Sequence, residues 1–565
     1  MKPFRLLAAF AVTLGVTICL GDLTTAQDAP TKADKKAKNK NKNKLDPAAQ
    51  APLRPAVPVK PIVLPSGPKD AAALARIIDA EVDKALAAAK VATSPAATDE
   101  EFVRRVYLDV TGVIPTGEQA RAFLDSKAED RREKLIDDLL ASPNFGKRLA
   151  DVWFPKLFPR DSNNRFVLRD PLVKWLTDKF NANTPWNVFV FELVTATGTV
   201  EENPAVTYYL ANRSVDKLTD GITQHFLGIQ LQCAQCHNHP FTDWKQTEYW
   251  GMAEFFARVR PDNPKNANKG GDNTKVGVQE TAARTKVKDF FPESAKQVAP
   301  KFLGGAEVKI AATEPARPIL ARWMTAPDNP FFAKAMVNRT WAALFGSGFV
   351  NPIDDMHDDN PASHPALLDA MARDFGRNGF DVKFLYKSIL LSKAYGRTSK
   401  PAAGNDKDEA LFSHQAVKVM SPEQLFDSLA QATGLSQQVA ARQAKNPMAK
   451  GQPSGPRDQF VNFFLAGADA FTPTEYEAGI PQALRLMNSR QLAGNPQAVR
   501  LYQTNAKDEP RAVLEKMFLA TLARRPTPAE VTRLTNYVQG AGTQAEGYGD
   551  VLWAILNSSE FTMIR

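Results

Sequence analysis

The chain has 565 residues, 44% of them apolar and 24% charged, with a net charge of +9; that length allows two or three domains. The positive excess is local, since residues 1–26 carry +1, residues 27–60 carry +6 from nine basic and three acidic side chains, and everything else carries only +2. The body of the chain is therefore close to neutral, which argues against a nucleic-acid-binding face, because phosphate recognition needs basic charge on the folded surface.

The chain opens with Lys2 and Arg5, an apolar run from Leu6 to about Gly21, and the small residues Thr24-Thr25-Ala26. That order predicts a secretory signal over 1–26. Its apolar run is about 16 residues, short of the roughly 20 that span a bilayer. The expectation is an exported protein, periplasmic or extracellular, with no integral membrane segment after signal removal. Bulky Ile18 before Cys19 speaks against a lipid anchor. Cys233 and Cys236 would then be the two cysteines of the mature chain, in an oxidising compartment where an unprotected pair closes to a disulfide. Residues 27–68 alternate lysine with asparagine and then turn proline-rich, a composition that predicts a disordered tether.

From residue 69 onward the apolar residues recur at spacings of three and four, the helical period. Thr116 with Gln119, and Thr527 with Glu530, place a capping residue three positions ahead of a side chain that can reach back. Residues 261–300 turn polar and weakly periodic, which marks an inserted loop or seam. Helical spacing resumes over 301–565, with a flexible loop expected at 441–458. The predicted fold class is mainly α: a helical domain over 69–260 and a second over 301–565, after the signal and the tether.

One short stretch carries chemistry: Cys233-Ala234-Gln235-Cys236-His237. Upstream, Val215, Leu218, Ile222, Phe226 and Ile229 form one helical stripe, and extending its spacing reaches Cys233 and Cys236. Both sulfurs are expected to face inward at the end of that stripe, with His237 on the same side. This is the arrangement of c-type haem attachment, in which two thioethers hold the porphyrin and the following imidazole binds iron. Pro240 would then end the helix. Trp244, Tyr249 and Trp250 could wall a flat cofactor, and Met252, Phe255, Phe256 and Val259 give another apolar face. In a chain with six histidines, the residue after a given Cys-x-x-Cys is His by chance roughly one time in a hundred. Two other readings stay open: a disulfide stapling the helix end, and zinc on Cys233, Cys236 and His237 or His239, which lacks a fourth ligand. For the far side of a haem iron, Met252, Met356, His357 and His364 are candidates, as is an open position.

The stretch "FLGIQLQCAQCHNHPFTDWKQTEYWGMAEFF", with "VRRVYLDVTGVIPT" before it, closely resembles the planctomycete-specific cytochrome-like domain of unknown function. The second half, from "NPFFAKAMVNRTWAALFGSGFVNPIDDMHDDNPASHPALLDAMARDF" to "DVLWAILNSSEF", resembles the partner domain of unknown function that follows it. The resemblance covers nearly all of residues 69–565 and implies an exported protein whose first domain is named for this motif. Other members carry a separate cytochrome c module near the N-terminus. Here a lysine-rich stretch stands in that place without a second Cys-x-x-Cys-His, which argues against an electron chain within one polypeptide.

The second half has a denser candidate, with Asp354, Asp355, His357, Asp358, Asp359 and His364 within eleven residues. Such a loop could hold a divalent cation or supply acid–base groups. The calcium-loop pattern is missing, however. A polar loop leading into a helix capped by Ser363 explains the same residues. Asn338, Arg339 and Trp341 read as a packed helix with a buried arginine. The sequence assigns no enzymatic activity. It predicts one covalent haem c on Cys233, Cys236 and His237, with His237 the metal ligand, for electron transfer with a redox partner protein. A non-haem scaffold with a cysteine staple is the alternative, and a hydrolase of extracellular polymers a weaker one.

Overall fold

A computed structural model describes residues 51–53, 59–64, 67, 69–158, 168–262, 273–284, 298–435, 455–465, 484, 486–488, 496–505 and 507–565. The signal segment, the tether up to residue 50, and most of the loop expected at 441–458 lie outside the described residues.

The described chain is mainly helical. The first region holds α1 (Ala71–Ala89), α2 (Asp99–Thr111), α3 (Gly117–Asp125), α4 (Arg131–Ala141), α5 (Pro143–Leu157), α6 (Arg169–Asn181), α7 (Trp186–Val194), α8 (Thr207–Ala211), α9 (Val215–Ile222) and α10 (Gln246–Ala253). The second holds α11 (Arg317–Met324), α12 (Phe332–Phe345), α13 (Pro365–Arg377), α14 (Val382–Leu390) and α15 (Pro422–Thr433). Six more follow: α16 (Pro456–Phe464), α17 (Pro496–Val499), α18 (Pro510–Leu522), α19 (Pro528–Gly540), α20 (Gln544–Leu556) and α21 (Ser559–Thr562).

Local chemistry starts these helices where the sequence says. Thr116 and Gln119 form a reciprocal capping box at α3, and Thr527 and Glu530 form one at α19. Each satisfies two backbone N–H groups that a helix start would otherwise leave without a partner. At α2, Thr98 caps Glu101 N, three acidic residues fill the first turn, and Gly112 ends the helix at φ +72°, where a residue with a Cβ is disfavoured.

Within the stretch 261–300, described in part, Gly277–Glu280 form a strand that the loop expectation did not include. β1 (Gly198–Thr199), β2 (Val259–Asp262) and β3 (Gly277–Glu280) make an antiparallel sheet in the order β1-β3-β2. Gly198 pairs with Val278, and Val259 with Glu280. Val276, Val278 and Glu280 are buried; their alternation is too short to stand out from a polar neighbourhood. At the end of β3, Glu280 receives the Arg317 guanidinium at 2.9 Å and the Ala316 N–H at 2.6 Å. Arg317 also donates to the carbonyls of Val194 and Ala196. A second small sheet pairs β4 (Lys418–Val419) with β5 (Met563–Ile564).

The body extends slightly into the stretch read as tether. Leu53 N donates to Glu280 O at 2.7 Å, Asn187 Nδ2 to Ile62 O at 2.6 Å, and Gly67 N to Arg377 O at 3.2 Å.

One apolar core joins the two regions. Trp153 of α5 stacks on Phe226 with centroids 5.7 Å apart, and Trp186 of α7 lies against both Phe226 and Phe332 of α12. Leu108 and Ile114, from the first region, belong to a second core built mainly by residues 420–564.

Candidate functional site

The stripe Leu218, Ile222, Phe226 and Ile229 is buried as its spacing implies. The continuous helix is not there. After α9 the chain makes one π turn, Thr223–Leu227, and stops at Gly228, whose φ is +70°. A Cβ on Gly228 would stand 3.2 Å from Met356 Sδ and 3.3 Å from Ala335 Cβ. Beyond it, Leu231 and Ala234 turn inward, and the motif lies on a short 3-10 turn, Gln232–Gln235. Cys233, Cys236 and His237 are therefore exposed rather than inward-facing, and the two thiols are not bonded to each other. The expectation of buried sulfurs is corrected: helix phase does not pass through a left-handed residue. Glycine directly after a helical stripe is the sequence signal that marks this end.

The turn is held from behind by α10. Trp250 Nε1 and Gln246 Nε2 both donate to Gln235 O, at 3.1 and 3.2 Å, and Gln246 N donates to Asn238 Oδ1 at 3.0 Å. Tyr249, Met252, Phe255 and Phe256 are fully buried, so they anchor α10 to the core. Trp244 packs edge-on against Phe331. At the outer end, Phe241 is 74% exposed and its ring meets His239 edge-on.

His237 Nδ1 lies 2.6 Å from the carbonyl oxygen of Asn238. A carbonyl only accepts, so Nδ1 donates in this contact, and the tautomer it selects has its lone pair on Nε2. A backbone carbonyl on the far nitrogen is the usual way a protein fixes the tautomer of a metal-binding imidazole. Two accessible thiols and an imidazole oriented in this way fit covalent haem attachment.

The second candidate loop is carried by α12. Asn338 Nδ2 donates to Val350 O and Ile353 O at 3.0 and 2.9 Å, and its Oδ1 accepts from Val350 N. Arg339, stacked over Trp153, pairs with Asp354. Asn360 Nδ2 closes the loop on Asn351 O and Asp355 O. Ser363 does not cap α13: the N-cap position is His364, without a side-chain cap bond, and Ser363 Oγ sits 3.0 Å from His364 Nδ1.

The acidic loop touches the chain that leads into the motif, although more than a hundred residues separate them. Met356 N donates to Gly228 O at 2.9 Å. His239 is held below the ordinary imidazole range, first by burial, and it lies within electrostatic reach of Asp355, His357 and His237. His357 Nε2 is 3.6 Å from Asp355 Oδ2. Met252, in the core, and His364, between Phe349 and Phe412, are not on this face. Among the described residues, no group of three or more His, Cys, Asp or Glu side chains is placed to hold a metal ion. Nor is any described helix long and apolar enough to cross a membrane.

The fold and this face define a mainly helical protein of two joined regions, with a surface Cys-x-x-Cys-His turn held by α10 and a loop of the second region bonded to Gly228 ahead of it. Residues 77–261 match the family PSCyt2, protein of unknown function (DUF1549), and residues 316–538 match PSD1, protein of unknown function (DUF1553). The two matches fall in the order the resemblance implied, the first over the first region and the second over the second. No curated protein and no solved structure matches it.

Proposed function

We propose that this protein is exported and carries one covalent c-type haem on Cys233 and Cys236, with His237 Nε2 as axial ligand, for redox or electron transfer with a partner protein. The observation that carries this reading is the hydrogen bond between His237 Nδ1 and the Asn238 carbonyl. It leaves Nε2 available to a metal on the residue that directly follows Cys236 in the chain, with both thiols exposed. When bound, the haem would supply reversible one-electron chemistry. The chain's part is to present the thiols for thioether formation, to hold the imidazole in one tautomer, and to keep the turn rigid through α10. Phe241, 74% exposed beside His239, offers apolar surface that a porphyrin can cover.

The test is an absorption spectrum of protein made in a host with working haem-attachment machinery. The denatured protein should keep its haem, and Cys233→Ala with Cys236→Ala should abolish that retention. Properly exported but colourless wild-type protein would overturn the reading. Intact mass then identifies the cysteine staple, which lowers the mass by two hydrogens.

A further inference from the structure

We infer that the cleft between α4 and the segment after α14 is a binding site for a small organic monocarboxylate with a short apolar tail, independent of the haem reading above. The cavity measures about 480 Å³, within the range of roughly 300–1,000 Å³ usual for small-molecule sites. Both regions build it. Phe102, Arg132 and Ile136 come from α2 and α4, and Leu390, Lys393 and Arg397 from the end of α14 and the turn that follows.

The floor is apolar, since Phe102, Ile136 and Leu390 belong to the core. Two guanidiniums are fixed in the lining. Arg132 lies over the Phe102 ring, 4.6 Å from its centroid, and gives Nε and Nη2 to Asp99 and Nη2 also to the Ala97 carbonyl. Arg397 gives Nη2 to Asp83 at 2.6 Å and Nη1 to the Phe412 carbonyl at 2.8 Å. Arg132 Nη1 and Arg397 Nε take no part in these bonds, so each guanidinium keeps a donor in a side chain already immobilised, which lowers the entropy lost on binding. Charge selects the ligand class. Three basic residues, Arg132, Lys393 and Arg397, line the cavity against two acidic ones, Asp83 and Glu133. Asp83 is held by Arg397 and Glu133 lies 3.5 Å from Lys387, whereas exposed Lys393 makes no ion pair among the described residues. The surplus is one positive charge. It favours a monoanion, repels a cation, and sets the two carboxylates of the lining against a dianion.

The experiment is calorimetric titration of the full-length protein with butanoate, hexanoate, octanoate and decanoate, beside hexan-1-ol and hexylamine. Affinity should rise about fourfold per added methylene and level off once the cavity is full. Hexan-1-ol, without the charge, should bind about tenfold or more weakly than hexanoate, and hexylamine should not bind. Lys393→Gln, which removes an exposed charge without a partner, should weaken hexanoate about threefold to fivefold. Ala96→Trp, on the exposed rim, should block the mouth and abolish binding. Wild-type protein without saturable hexanoate binding would overturn the inference, as would hexylamine binding equal to hexanoate or both variants binding as wild type does. An affinity that still climbs through decanoate would mark adsorption to the surface and overturn it equally.

Discussion

Asp220, at the end of α9, shows how burial sets the chemistry of one side chain close to the motif. Burial pushes its carboxyl up to about 6, the charge of Asp216 adds to this, and the Tyr249 hydroxyl facing it works the other way. Between its ordinary value of 3.8 and about 6 the folded chain therefore binds more protons than the unfolded one. Stability from this group falls as pH rises through that window, and the penalty is complete above it. Asp220→Asn should stabilise the protein at pH 7 by about 1–2 kcal/mol, since partial exposure screens part of the effect of burial. The gain should vanish near pH 4. Chemical unfolding at the two pH values checks this; an equal effect at both would mean that the carboxylate charge is not the cause.

Among the elements, the break after α9 has the largest consequence, because it turns the motif from the core to the surface. Gly228→Ala must place a Cβ at φ +70° and within 3.3 Å of two neighbours. The left-handed conformation alone costs about 1–2 kcal/mol, so a loss of at least that size is expected in thermal unfolding. The capping boxes give a second element-level expectation. Thr116→Ala and Thr527→Ala should each cost about 1 kcal/mol. At α19, Glu530 is also gripped by Arg524, which with the Thr527 bonds holds its carboxyl down to about 2. Removing Thr527 should therefore raise the Glu530 pKa, measurable by nuclear magnetic resonance titration, while Thr116→Ala leaves it unchanged.

Across the whole molecule, the two regions are tied by buried polar groups as well as by apolar packing. Asp109 of α2 receives Lys418 Nζ at 2.7 Å and the Tyr395 hydroxyl at 2.9 Å, and both charged side chains are only 3% exposed. Lys418 also donates to the carbonyls of Ala343 and Leu344. Arg105, one turn before Asp109, donates to the carbonyls of Tyr395, Arg397 and Arg565. Removing one partner of such a pair strands a buried charge, so Lys418→Met should cost about 3–5 kcal/mol. Adding Asp109→Leu to Lys418→Met should recover part of that loss, as a double-mutant cycle by chemical unfolding would show. A fragment ending at residue 315 should lack a cooperative transition, because α2 would lose the carbonyl partners of Arg105 and the Lys418 and Tyr395 partners of Asp109 together.

The helical class, the capping boxes and the buried face Leu218, Ile222, Phe226 and Ile229 were legible in the sequence, because each is set by residues within about four positions of one another. The Cys-x-x-Cys-His motif was visible for the same reason, since its residues are contiguous. Its orientation was not: extending the helical stripe overruns Gly228, whose left-handed backbone is held by Met356 and Ala335 from more than a hundred residues away. β3 hid in a polar stretch because the partners that bury Glu280, above all Arg317, lie beyond it in the chain. The acidic loop looked self-contained in sequence, with six ionisable groups that could serve one ion or one helix cap. Packing divides them, pairing Asp354 with Arg339, setting Asp355 beside His357 and placing His364 among aromatic rings. Short-range periodicity thus determined which faces are apolar and where helices begin. Only tertiary contact decided that the motif faces solvent and that the second region's loop lies against the chain leading into it, because those outcomes depend on which distant surfaces exclude water together.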